Sequence, residues 1–227
     1  MIIDMSCYNL EGLYLHFDDG GLLDLSKESV RRLSDEYWNN PTKLPPHVRQ
    51  DDAFKTCSVC PFKGQNVFCS AMKPLLPFLE EVERFNSYDS VTAVYMKKEG
   101  LVHVCETNMQ NALQYVTNMA IFEYCEDAKQ YHIYFQGIEP FMGMEQTLSR
   151  LFLNIYWLNG GDAKKVHTAI EEIRHAVTVT SKNCVERLNL MCKSDAFINA
   201  YVKTHILSEM LGVNIEDTLE TYFMGEQ

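Results

Sequence analysis

From Asn108 onward the sequence shows only helical patterning, and this constrains the fold more than any other feature. Met109, Leu113, Val116, Met119, Ala120 and Phe122 recur at helical spacing and predict a helix from Asn108 to about Asp127. Pro140, with Gly137 and Gly143, marks a break. The next helix runs from about Glu145 to Leu158 and ends at Asn159-Gly160-Gly161, a C-cap signal. Asp162 starts another, to about Ala176. Ser181 and Ser194 open two more, and Ile215 to Phe223 is a last short helix.

The preceding half reads differently. Leu13, Leu15 and Phe17 alternate with Tyr14 and His16, Asp18-Asp19-Gly20-Gly21 supplies residues that tolerate positive φ, and Leu22 to Leu25 returns. Ser26 caps a helix starting near Lys27, with Val30, Leu33, Tyr37 and Trp38 apolar, and Asn39-Asn40-Pro41 stops it. Pro41 to Asp52 is a Pro-rich polar loop. Ser70 opens a helix to about Phe85, with Pro74 and Pro77 confining or kinking its first turns. Val91, Ala93 and Tyr95 begin a second hairpin that turns at Lys97 to Gly100 and returns over Leu101 to Glu106. The fold class is α+β: a small antiparallel sheet of two hairpins in the N-terminal half, docked on a C-terminal α-helical bundle. Residues 1–107 hold the hairpins and a cysteine-rich loop, residues 108–227 the bundle, and the two are expected to form one integrated domain.

The cysteine-rich loop carries the chemistry. Cys57-Ser-Val-Cys60-Pro-Phe-Lys-Gly-Gln-Asn-Val-Phe-Cys69 places three thiols within thirteen residues, with Pro61 and Gly64 bending the chain between them. A C-x2-C pair brings two sulfurs to one knuckle, and the third can return if the loop closes. Thiolates select zinc or iron–sulfur clusters among biological metals. A closed tetrahedral site needs a fourth ligand. Cys125, at the polar end of the long helix, is the first choice, with Cys105 on the second hairpin and His132 as alternatives. A 4Fe-4S cluster is preferred to structural zinc, because the spacing is unlike the paired knuckles of common zinc modules and Cys60-Pro61 also occurs in ferredoxin-type loops. A thiol-rich turn that merely packs, or a redox dithiol at Cys57 and Cys60, are the competing readings.

The chain has eight cysteines. The N-terminus, Met-Ile-Ile-Asp-Met-Ser-Cys, has neither a basic region nor an apolar segment of signal-peptide length, so a cytoplasmic location with reduced thiols is expected. Cys184 and Cys192 lie eight apart in an apolar helix and read as core; Cys7 reads as inert. A net charge of −11 with scattered basic residues argues against nucleic acid and anionic membrane surfaces. No apolar run approaches the roughly 18 residues that span a bilayer.

Other patterns are weaker. Glu172 and His175 form E-x-x-H, with His167 and Glu171 one turn apart, but a di-iron bundle needs two such motifs, and a solvated face fits the single copy. There is no G-x-S-x-G elbow and no phosphate-binding glycine loop. Tyr131, Tyr134, Phe135, Phe141, Met142 and Met144 read as core rather than a pocket lining. Arg187, Asp195 and Asn199 are polar groups in apolar helices, suited to a buried network.

The chain resembles an uncharacterised bacterial family, a domain of unknown function with an N-terminal hairpin, a C-x2-C-P…C loop and a helical C-terminal half. The resemblance rests on Phe17-Asp18-Asp19-Gly20, Cys57 to Cys69, Val91-Thr92-Ala93-Val94-Tyr95, Thr107-Asn108-Met109-Gln110, Glu186-Arg187-Leu188 and Asp195 to Ala200. It implies that Cys57, Cys60, Cys69 and Cys125 form one site, although the chain lacks a proline after Cys69 and Cys125. It implies no activity.

The expected function is a soluble, non-catalytic metal-binding protein with a four-cysteine site and a redox or oxygen-sensing role if the metal is an iron–sulfur cluster. An iron–sulfur oxidoreductase or electron-transfer protein working with a protein or redox partner is the second reading. A metal-free interaction module is the third.

Overall fold

In a computed structural model of the protein, residues 11–43, 57–63, 65, 68–98 and 100–223 are described, the side chains of residues 41 and 214–223 excepted. Cys7 and most of the Pro41–Asp52 stretch lie outside them.

Both hairpins form. Strand β1 (Gly12–His16) pairs with β2 (Leu22–Ser26), and β3 (Ser90–Met96) with β4 (Val102–Asn108). The turns follow the sequence: Gly20 and Gly100 take φ of +86° and +80°, which glycine alone adopts without strain. The hairpins join through β1 and β3, giving the antiparallel order β2-β1-β3-β4 with Leu13 opposite Tyr95 and Leu15 opposite Ala93. Ser26 caps helix α1 (Lys27–Asn39) by accepting from the Ser29 amide.

The segment after Cys69 departs from the expected helix. It forms 3-10 turns at Ser70–Met72 and Leu76–Phe78 and one short helix, α2 (Leu79–Val82). Pro74 and Pro77 lack the N–H groups a continuous helix would need. Met72, Leu75, Leu76, Phe78 and Leu79 are nevertheless buried, so the segment is a wall of the core.

Helix α3 (Met109–Met119) starts at Asn108, whose side chain accepts from the Asn111 amide, and its last turn is a π-turn, Ala120–Tyr124. A 3-10 stretch, Ala128–Phe135, follows and packs through a stacked Phe122–Phe135 pair. Helix α4 (Met144–Leu158) ends at Asn159-Gly160-Gly161 as expected, with both glycines at positive φ. Helix α5 is one unbroken rod, Ala163–Met191, where the sequence suggested a break between Ala176 and Ser181. Likewise α6 runs from Ala196 to Phe223 without stopping before Ile215. The residue read as a start, Ser181, is a buried polar group in the middle of α5, as is its neighbour Thr180.

One hydrophobic cluster unites both halves, from Leu13, Leu25 and Val91 of the sheet through Met72 and Leu79 to Leu113, Ile173 and Phe197 of the helices. Two further contacts tie the sheet half to the bundle. Asp195, just before α6, accepts from the Ser87 amide at 2.8 Å, the Ser87 hydroxyl at 3.0 Å and Asn199 Nδ2 at 3.0 Å. Ser194 Oγ donates to the Phe85 carbonyl at 2.6 Å.

Candidate metal centre

Each sulfur of interest is set in place by a distinct local device. Cys57 and Cys60 lie at a turn closed by the Cys60 amide donating to the Cys57 carbonyl at 3.2 Å, and a second turn follows as Lys63 N–H meets the Cys60 carbonyl at 3.0 Å. Cys69 stands immediately before the Ser70–Met72 turn, whose Met72 amide donates to the Cys69 carbonyl. Cys125 ends the π-turn: its amide reaches back to the Ala120 carbonyl at 3.0 Å, and its own backbone swings to φ −66°, ψ 125°. π-turns are rare and tend to mark places where a side chain must be re-aimed. Here the extra residue delivers Cys125 to the core, 6% exposed.

The cysteines named from sequence occupy one neighbourhood. Burial raises the Cys60 thiol above its ordinary range, and the charges of Cys57, Cys125 and Glu126 push it the same way, against the Phe62 amide. Burial also raises Cys69 most. Arg187 and the amides of Ala71 and Met72 pull it back, and Cys125 adds to the rise. Cys60 and Cys69 thus both feel the charge of Cys125. Neither alternative ligand belongs to this group: His132 is exposed, and Cys105 lies on edge strand β4 with its Sγ against the Glu106 carbonyl at 3.4 Å. The sulfurs stand at the range of charge interaction rather than of coordination. Among the described residues no three His, Cys, Asp or Glu side chains converge tightly enough to hold a metal ion as they stand.

Helix α5 supplies the back wall. Thr180 Oγ1 lies 3.5 Å from Cys125 Sγ, and Arg187 Nη1 donates to Cys69 Sγ at 3.2 Å. Arg187 is 6% exposed, an unusual place for a guanidinium unless negative charge accompanies it. The expected network of Arg187, Asp195 and Asn199 is thus two separate sets: Arg187 donates to Cys69, while Asp195 accepts from both Ser87 and Asn199. Two further residues at the wall carried no sequence signal. Cys184 is fully buried, and the Tyr201 hydroxyl of α6 points at its sulfur, short of well-formed hydrogen-bond geometry.

The E-x-x-H face of α5 borders a shallow cleft of about 430 Å³, lined by His167, Glu172 and His175 together with Asp127, Tyr131 and Val59 of the cysteine loop. Burial raises Asp127, and His175 lowers it. Glu171 is engaged elsewhere, accepting from Arg174 at 2.7 Å.

The family model for a domain of unknown function, DUF6901, matches residues 15–224. The chain belongs to this family. No curated protein and no solved structure matches it. Among the described residues no helix is long and apolar enough to cross a membrane.

Proposed function

We propose that this chain is a metal-binding protein in which Cys57, Cys60, Cys69 and Cys125 hold one centre, an iron–sulfur cluster in preference to structural zinc. The observation that carries the reading is the buried Arg187 guanidinium donating to Cys69 Sγ. A guanidinium donates more strongly to a metal-bound thiolate than to a neutral thiol, so a metal at Cys69 would strengthen this contact. Binding requires the Cys57–Cys69 loop to draw in toward Cys125. Thr180 and Arg187 then hydrogen-bond the sulfurs from behind, which orients ligands and tunes a centre's potential.

A cluster supplies one-electron chemistry, and four cysteines leave no open coordination position. The role that follows is redox or oxygen sensing in a reducing, cytoplasmic setting, or electron exchange with a protein partner, rather than substrate turnover. Protein purified without oxygen tests this by elemental analysis and visible absorption. The expected result is about four irons per chain and a broad thiolate-to-iron band, both lost in Cys57→Ser/Cys60→Ser. One zinc without colour would keep the site and remove the redox role. Metal-free protein with freely titrating thiols would overturn the proposal.

A further inference from the structure

We infer that β4 is the contact strand of a symmetric dimer, in which a second copy of this chain lays its own β4 alongside and joins the two four-stranded sheets into one. The dimer is independent of the metal proposed above and uses none of its four cysteines.

The order β2-β1-β3-β4 leaves two edges. At the β2 edge Leu23, Leu25 and Ser26 are buried, and the Asp24 carboxylate is taken by the Ser26 amide at 2.8 Å and the Ser29 hydroxyl at 2.5 Å. The β4 edge is open. His103, Val104 and Glu106 are exposed, and among the described residues no strand lies beyond them. Two hydrogen bonds continue the β3–β4 ladder at its ends: Lys97 N–H donates to the Leu101 carbonyl at 2.9 Å, and Met109 N–H to the Asp89 carbonyl at 3.0 Å. Bonded and unbonded pairs alternate along an antiparallel ladder, so Val102, Val104 and Glu106 turn their N–H and C=O groups away from β3. Such an edge templates another strand unless Lys, Pro, a bulge or brevity blocks it. β4 runs for seven residues in unbroken register, and Val-His-Val-Cys-Glu-Thr-Asn contains neither Lys nor Pro. Its one acid, Glu106, is engaged within the sheet, accepting from the Thr92 hydroxyl at 2.7 Å.

Charge favours a second copy as the occupant. Two chains of net charge −11 repel wherever their acidic surfaces meet, and a strip whose single carboxylate is already engaged is where they approach at least cost. A basic partner, by contrast, finds little on β4 to hold it. Symmetry points the same way, because an antiparallel edge is complementary to itself about a two-fold axis. With the axis at Val104, that residue exchanges N–H···O bonds with Val104 of the second copy, Val102 lies opposite Glu106, and the two Glu106 carboxylates stay apart. The same register extends an apolar cluster on this face of the sheet. Tyr14 and Val94 are buried there with Met96 and Val102 packed against them, and the cluster ends at Val104, the cross-strand neighbour of Val94, which is 53% exposed. Pairing covers it.

One strand pair buries less than a standard interface of about 1,600 Å², so a dissociation constant on the order of 10 µM is expected. Sedimentation equilibrium from about 1 µM to 1 mM is run on wild type, Val104→Lys and Val213→Lys. The wild type should pass from 26.2 kDa to twice that mass. Val104→Lys should stay monomeric, because two ammonium groups would meet at the axis. Val213→Lys, which charges an apolar side chain 73% exposed on α6, should dimerise like the wild type. A wild type that is monomeric throughout overturns the inference, and so does a dimer that folded Val104→Lys leaves intact. Residue-resolved amide exchange of the wild type over the same range needs no variant. The Val102, Val104 and Glu106 amides should exchange at least about tenfold more slowly once the dimer fills. Unchanged exchange at these amides overturns the inference even where the mass doubles. Either failure leaves the four-cysteine proposal standing.

Discussion

Replacing Asp195 with alanine removes the acceptor that ties α6 to the chain leading into β3. The carboxylate takes the Ser87 amide on Oδ1 and the Ser87 hydroxyl on Oδ2, and Ser87 itself is only 4% exposed. Hydrogen bonds to a charged group each contribute about 1.5–3 kcal/mol, and truncation leaves the two buried Ser87 donors unmet. The negative charge at the start of α6 adds about 0.3–1 kcal/mol through the helix dipole. Because the contacts share one side chain they do not simply sum, and a loss of about 3–4 kcal/mol is expected for Asp195→Ala. In a chain of this size each kcal/mol moves the melting temperature by about 2–4 °C, so the midpoint falls by roughly 6–15 °C. Asp195→Asn keeps one oxygen and should lose about half as much. Urea unfolding followed by tryptophan fluorescence and by far-UV circular dichroism gives the numbers. One coincident transition for both probes is expected, because a single core cluster spans the sheet and the helices. A cost below about 1 kcal/mol, the size of an ordinary exposed contact, would refute the reasoning.

Other outcomes follow from the same structure. Gly12→Ala should cost at least about 3 kcal/mol or prevent folding, since Gly12 has φ +142° and a Cβ there would lie 2.4 Å from the Ser26 Cα; expression and circular dichroism check it. Leu113→Ala, at a fully buried position on α3, should cost about 2–5 kcal/mol by urea titration. The metal-free protein should lose stability in alkali. Cys69 and Cys184 hold their protons above the ordinary thiol range in the fold, so the unfolded chain ionises first; stability is full below about pH 8.5 and declines as pH rises from there. Melts between pH 7 and 10 show it, and a flat profile would count against the burial of these thiols. Metal binding runs the opposite way, weakening as pH falls because the ligands must shed protons.

How legible the fold was depends on how local each signal is. Asp18-Asp19-Gly20-Gly21, Ser26, Asn108 and Asn159-Gly160-Gly161 act within a few residues, and each sits where the pattern placed it. The pairing of β1 with β3 is long-range and has no such marker. Ser181 imitates a helix start because polar residues favour caps, yet it lies buried inside a continuous helix beside Thr180, which contacts Cys125 Sγ. The π-turn that ends at Cys125 has no sequence signature. The C-x2-C-x8-C spacing of Cys57, Cys60 and Cys69 is a local signal visible in the sequence. The place of Cys184 is not, because apolar neighbours at helical spacing describe a core residue and a wall residue alike.

X-ray absorption at the metal edge of protein purified without oxygen tests the four-cysteine centre most directly. The predicted result is a first shell of sulfur alone at about 2.3 Å, with an iron–iron shell behind it, and loss of that shell in Cys57→Ser/Cys60→Ser. A shell dominated by nitrogen or oxygen, or no bound metal at all, would contradict it.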